Sequence, residues 1–368
     1  MEKVKYFKTI HGKKLPLPLF FPDATKAVVK TLDSVDIEKT RTPGILVNTY
    51  HLYRELGRRV VEKHGGIAKF MGWEGAVISD SGGFQVMSLA KASGKRGSIT
   101  DEGVTFRPQG SKKITLTPEE SIRFQMLLRP DMVVVLDDFT PPGASYKAAK
   151  ETVRRTILWA RHSKEAFVSC CAQEGLTKGN RPYILAVVQG GDYLDLRKEC
   201  AEKLAKIGFD GFGYGGWPIT AEGNFNYEVA KVVADNAPRN YFLYGLGIGK
   251  PDEIVGCTDL GYHIFDCVLP TRDARHKRLY VYEADSIENI DIRQPKFYSF
   301  FTPDKEKYYQ DERPVSAACD CLLCKNYSRA YLAHLFRIGD FTAGRLATIH
   351  NLRFYSILME RLQKHKKS

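Results

Sequence analysis

The sequence predicts an α/β protein, a (β/α)8 TIM barrel with a zinc-binding insertion near its C-terminus. Three observations carry that expectation. Eight short β-rich runs, each bounded by Gly, Pro, Asp or Asn, recur between Leu17 and Val268. Helical patterns separate several of them, and strands alternating with helices pair in parallel. Polar residues and glycines gather at the C-terminal ends of the runs, on the face where such a barrel builds its active site.

The runs are Leu17–Phe21, Ile45–Asn48, Ala76–Asp80, Met132–Asp137, Tyr183–Gln189, Gly211–Gly215, Phe242–Ile248 and His263–Val268. Between the third and fourth, Lys91 to Gly97 reads as a loop. Thr117-Pro118-Glu119-Glu120 then starts a helix, with a capping side chain, proline at the first helical position and acids in the first turn. Lys147 to Phe167 and Asp192 to Ile207 read as two further helices. The run ends carry Asp80, Asp137 with Asp138, Gln189-Gly190-Gly191, Gly215-Gly216, Gly245 to Gly249, and Asp266.

Beyond the eighth run the pattern changes. A turn-rich segment from about Tyr280 to Tyr309 leads to clustered cysteines, then to helices over Asn326–Ile338 and Phe341–Gln363 and a basic tail, Lys364 to Lys367, expected to fray. The expected division is a barrel over 1–280 and a zinc-binding subdomain with closing helices over 281–368.

At 368 residues and 43% hydrophobic, the chain can bury a sizeable core without disulfide staples. No apolar run approaches the roughly 18 residues of a membrane helix, and the start has no signal-like core, so a soluble cytoplasmic protein is expected. Eight cysteines, three of them crowded together, suit reduced thiols with one metal site better than a secreted disulfide framework. The net charge of +12 favours a polyanionic partner such as nucleic acid, although solubility alone would also account for it.

Three constellations carry chemistry. Cys319-x-Cys321-x2-Cys324 with His350 supplies three thiolates and an imidazole, enough to close a tetrahedral zinc shell and leave no position for a reacting water. One structural zinc per chain is expected, against the alternative of buried free thiols. Asp80-Ser81-Gly82-Gly83-Phe84-Gln85 places a carboxylate before glycines that let a backbone approach a ligand, or it is an ordinary βα turn capped by Asp80. Phe265-Asp266-Cys267-Val268-Leu269-Pro270-Thr271-Arg272, with Arg275 to Arg278 behind it, sets a strand-end carboxylate beside cations. That suits a nucleophile or base acting on a phosphate-bearing substrate, or a rim ion pair.

Together with Leu136-Asp137-Asp138, Val188-Gln189-Gly190-Gly191, Gly215-Gly216 and Gly247-Ile248-Gly249-Lys250-Pro251, these strings occur in the order and spacing typical of tRNA-guanine transglycosylases. The chain resembles that family from about Thr9 to Gln363. The resemblance implies a zinc-containing TIM-barrel pentosyltransferase, commonly homodimeric. It exchanges guanine at the wobble position of GUN anticodons for a 7-deazaguanine such as the 7-aminomethyl precursor of queuosine. By position, Asp266 matches the nucleophile that attacks C1′ and Asp80 the acid/base. Asp137, Gln189 and the Gly216 N–H match the groups that read the base, Phe84 and Leu246 those that sandwich it, and Arg272 and Arg275 are placed to hold flanking phosphates.

The sequence departs from bacterial members in two places. Phe139 and Trp217 stand where a cysteine and a leucine are usual, and the carboxylate that supports aminomethyl recognition has no direct match, Glu222 lying one position further on. If both aromatics project beyond C7, the bulky queuine base is disfavoured. Two other functions fit the same residues: guanine exchange on DNA, and a non-catalytic zinc-stabilised tRNA-binding subunit, which predicts loss of the carboxylates that are in fact present.

Overall fold

All eight runs become strands of one parallel sheet: β1 (Leu19–Pro22), β2 (Gly44–Asn48), β3 (Ala76–Asp80), β4 (Met132–Val134), β5 (Tyr183–Val188), β6 (Gly211–Tyr214), β7 (Phe242–Gly245) and β8 (Ile264–Cys267). Their order is β1-β8-β7-β6-β5-β4-β3-β2. The Ala24 N–H donates to the Leu46 carbonyl at 2.7 Å, joining the chain beyond β1 to β2 and closing the cylinder. The computed structural model describes residues 4–83, 85, 87–88, 97–106 and 114–365. Phe84 and the expected loop over 91–96 lie outside them.

The period of two along each strand separates two apolar sets. Leu19, Phe21, Leu46, Ile78, Met132, Val134, Leu185, Val187, Phe242, Tyr244 and Ile264 fill the barrel interior, while their neighbours pack outward. Several strands are trimmed by a residue or two relative to the sequence runs, and two, β4 and β7, are cut to three and four residues. β4 leaves its regular ladder after Val134, although the Val135 N–H still reaches the Leu185 carbonyl at 3.0 Å. β7 stops at Gly245 because the chain turns there, with Gly247 at φ +70°. Both changes free the following residues to line the barrel mouth.

Two additions were not legible in the sequence. A hairpin, Tyr6–Lys8 with Lys14–Pro16, plugs the N-terminal end and buries Phe7 against Phe21, Tyr183 and Phe242. Asp131 holds it by accepting from the Ile10 and Val77 N–H groups, both at 2.8 Å. Between β3 and β4, the strands Ser98–Thr100, Gly103–Phe106 and Ile114–Leu116 form a small antiparallel sheet. Its Phe106 packs with Tyr50, Met87, Leu136 and Trp159.

Helix Pro118–Leu128 begins as expected, the Thr117 hydroxyl accepting from Glu120 N at 3.1 Å. The next two helices span Tyr146–Gln173 and Leu194–Ile207, the first longer at both ends than expected. After β8 comes Leu269–Arg275, then the antiparallel pair Leu279–Tyr282 and Tyr298–Phe301. The expected helix over 326–338 runs Arg329–Ile338, and a separate short helix, Leu322–Asn326, precedes it. The last helix, Phe341–His365, continues into the expected tail and packs along the barrel. The Tyr355 ring lies tilted against Phe20, centroids 4.5 Å apart, and its hydroxyl donates to the Gly249 carbonyl at 2.6 Å. Among the described residues no helix is long and apolar enough to cross a membrane.

Candidate active site

Parallel register sets Asn48, the last residue of β2, directly beside Asp80, the last of β3. Asn48 Nδ2 donates to both Asp80 oxygens, at 3.0 and 2.9 Å, while its Oδ1 accepts from His51 N at 3.1 Å and so caps the helix Thr49–Glu55. The Gly82 N–H also donates to Asp80. Glycine is required at 82: φ is +74° and a Cβ there would lie 2.7 Å from Tyr50 Cβ. Burial pushes the Asp80 carboxyl up to about 7. The Gly82 and Asn48 donors offset part of the rise, and the Asp266 charge adds to it.

Asp266, in β8, is 8% exposed and accepts from the Gly247 N–H at 3.0 Å. Burial raises its pKa to about 6, the Gly247 donor and Tyr244 restraining the rise. Tyr244 is fully buried, and its hydroxyl has no hydrogen bond of regular geometry, so it acts on Asp266 as a neighbouring dipole. A third carboxylate, Asp23 beyond β1, raises both aspartates. Burial pushes the adjacent Cys267 thiol to about 12, which keeps it protonated and inert at neutral pH.

Across the mouth, Gln189 Nε2 donates to Asp137 Oδ2 at 2.6 Å while its Oε1 accepts from Thr140 N at 3.1 Å. The second bond fixes the amide orientation, so Nε2 must face Asp137. Burial raises the Asp137 carboxyl to about 6, and the Gln189 donor lowers it. Gly216 adjoins this pair: a Cβ there would lie 3.5 Å from Gln189 Oε1. Leu246 completes the recess from the β7 turn, packed on the interior cluster.

Asp138 points elsewhere and is buried in an ion pair with Arg155 of the long helix. Phe139 is partly buried against the cluster of Tyr50, Met87, Phe106 and Trp159, and Trp217 stands 52% exposed at the rim. Arg272 is exposed on helix Leu269–Arg275. Arg275, on the same helix, is half-buried and donates to the Thr271 carbonyl at 2.7 Å. Sequence reasoning missed Asn48, Asp23, Tyr244 and Arg197. The register of the predicted strand ends could have found Asn48, whereas the others emerge only once the barrel closes.

The cysteine cluster forms a second centre. The ligand atoms of Cys319, Cys321, Cys324 and His350 lie within 4.8 Å of one another. His350 Nδ1 is 3.6 Å from Cys321 Sγ and 3.3 Å from Cys324 Sγ, and its Nε2 is 2.7 Å from the Tyr280 carbonyl. A tetrahedral ion with bonds of about 2.3 Å to sulfur and about 2.05 Å to nitrogen needs S···N edges of about 3.6 Å, so the group is shaped to hold a metal ion. The Tyr280 bond fixes the imidazole so that Nδ1 faces the thiols.

Asp80 and Asp266 thus stand at the C-terminal mouth of a (β/α)8 barrel, the face on which enzymes of this fold carry out their chemistry. The comparisons place the protein more narrowly. The chain belongs to the family described as queuine tRNA-ribosyltransferase, whose model matches residues 2–367. The protein of that name from Thermoanaerobacter sp. (strain X514) is 37% identical over 359 residues, covering 97% of this chain and 88% of the relative. Those from Psychrobacter cryohalolentis and Pasteurella multocida are 37% and 36% identical, covering 96% and 94% of this chain and 86% and 83% of theirs. The family is one of tRNA-guanine transglycosylases, which are pentosyltransferases.

Proposed function

We propose that this protein replaces guanine at the wobble position of GUN-anticodon tRNAs by a 7-deazaguanine through a covalent intermediate on Asp266. The observation that carries this reading is the pair of half-buried Asp80 and buried Asp266 on the same barrel mouth, each raised in pKa for identifiable reasons. With values of about 7 and about 6, Asp80 is about half protonated near neutrality while Asp266 is mostly ionised.

The Asp266 carboxylate attacks C1′ of the target ribose, the glycosidic bond breaks, and its electron pair leaves with guanine, which takes the proton held by Asp80. The entering base gives a ring proton to Asp80, its nitrogen attacks C1′, and Asp266 departs as carboxylate. Two displacements retain the linkage and leave the phosphodiester chain intact. Asp137 accepts from the N1 and exocyclic N–H groups of the base, while Gln189 Nε2 and the Gly216 N–H meet O6. The base must leave its stack to reach them.

Cys319, Cys321, Cys324 and His350 would hold zinc as a cross-link between the segment 319–324, including the short helix Leu322–Asn326, and the last helix, supplying stability and no reacting group.

Labelled guanine should enter tRNA and not duplex DNA, and denaturing gels should show RNA bound covalently to wild type but not to Asp266→Asn. Incorporation into DNA alone would favour the DNA reading, and exchange by Asp266→Asn above a few per cent of wild type would remove the nucleophile assignment. Inhibition by a series of 7-substituted bases tests whether Phe139 and Trp217 narrow the site; tight competition by queuine would show that they do not.

A further inference from the structure

Arg197 is a buried catalytic-face cation that base exchange leaves unexplained. It lies in the first turn of helix Leu194–Ile207, is 1% exposed, and among the described residues has no carboxylate within ion-pairing distance. Burying an unpaired charge is costly, and a cation at a helix N-terminus opposes the macrodipole. Backbone carbonyls compensate instead: Nε donates to Gly191 O at 2.8 Å, and Nη1 donates to Gly215 O at 2.7 Å and to Val188 O. The guanidinium also lies 5.2 Å from the Tyr214 ring centre. It thereby ties together the two glycine turns that follow β5 and β6.

The Gly215 carbonyl matters because it shares a peptide plane with the Gly216 N–H. In a trans peptide the two point in opposite directions. Drawing the carbonyl onto Arg197 therefore turns the Gly216 N–H away from the buried cation, and among the described residues that N–H has no acceptor. A cation on the carbonyl also polarises the amide and strengthens its N–H as a donor. A side chain would be strained at this place: φ at Gly216 is +89°, and a Cβ would press on Arg197 Nη2 at 3.2 Å.

We propose that Arg197 is a positioning residue that sets and strengthens the Gly216 N–H as the donor recognising O6 of the bound purine. The proposal rests on the reading of guanine as the exchanged base. Arg197 touches no substrate and acts only through the Gly215–Gly216 peptide.

The test compares inhibition of labelled-guanine exchange by unlabelled guanine and by 6-thioguanine, which keeps the N1–H and N2 amino edge but replaces O6 by a sulfur, a poorer acceptor. Wild type should prefer guanine severalfold, since a site built around a donor discriminates against a ligand with a weaker acceptor. Arg197→Lys and Arg197→Gln, checked for wild-type circular dichroism, should narrow that preference by binding guanine more weakly while changing 6-thioguanine less. Equal weakening of both bases would overturn the proposal and leave Arg197 a structural brace. Failure of wild type to bind either base would instead overturn the guanine reading. Should neither variant fold, hydrogen exchange on the wild-type protein decides. The Gly216 amide should exchange freely alone and gain protection with guanine, and protection already present without base would overturn the proposal.

Discussion

A single side-chain amide of Asn48 serves both the helix that follows it and the carboxylate beside it. Its Oδ1 takes the His51 N–H at 3.1 Å, which leaves Nδ2 no choice but to donate to Asp80, at 3.0 and 2.9 Å. The strand-end cap thus also offsets part of the rise that burial imposes on the Asp80 carboxyl.

Asn48→Asp separates these two duties. Aspartate caps a helix about as well as asparagine, so the helix is kept. A second carboxylate beside Asp80, with two donors gone, should raise the Asp80 pKa further. The alkaline limb of the exchange rate against pH should move upward, with little change in Tm beyond repulsion between the two acids. Asn48→Ala should move the limb the same way and also cost about 1 kcal/mol for the lost cap. A limb that stays in place in both variants would detach Asn48 from catalysis.

The proposed mechanism requires Asp266 ionised and Asp80 protonated in the first step, so the exchange rate should fall as pH drops through about 6 and again as pH rises through about 7. The two limits belong to the coupled pair. Stability runs in one direction only. Both carboxyls lie above the ordinary value of 3.8, so between the unfolded and folded values the native state holds more protons, and stability declines as pH rises through that window. Asp266→Asn removes one such penalty. It should melt higher than wild type at pH 8 and lose that advantage at pH 4, as scanning calorimetry can show.

Metal analysis should find one zinc per chain, and Cys321→Ala should lower both zinc content and Tm. Because His350 sits on the helix that covers β1 and also contacts Tyr280, the loss should appear first as amide exchange in Phe341–His365 rather than in the barrel strands. Protein without zinc and with unchanged Tm would refute the closed shell.

Arg272→Ala should raise KM for tRNA and flatten its salt dependence by about one phosphate equivalent. Arg275→Ala should do so less, because Arg275 is half-buried and already bonded to the Thr271 carbonyl, whereas Arg272 is exposed. Unchanged salt slopes in both would assign the two arginines to the fold.

The sequence by itself determined the barrel and the positions of its polar strand ends, because burial on both faces imposes short continuous apolar runs and the residue after each run needs a turn. It determined the cysteine cluster, because ligand spacing along a chain is a local property. It did not show the plugging hairpin, where Phe7 has meaning only against Phe21, Tyr183 and Phe242. Nor did it show that Asp137 and Asp138, adjacent in the chain, part company toward Gln189 and Arg155. Tertiary structure alone decided the charge states. A carboxyl such as Asp80 is shifted by the water it loses and by the Gly82, Asn48 and Asp266 groups around it, and only closure of the barrel brings Asp266 within reach. The same closure placed Arg197 under two glycine turns from different strands, where an arginine unremarkable in sequence becomes a buried cation held by three carbonyls.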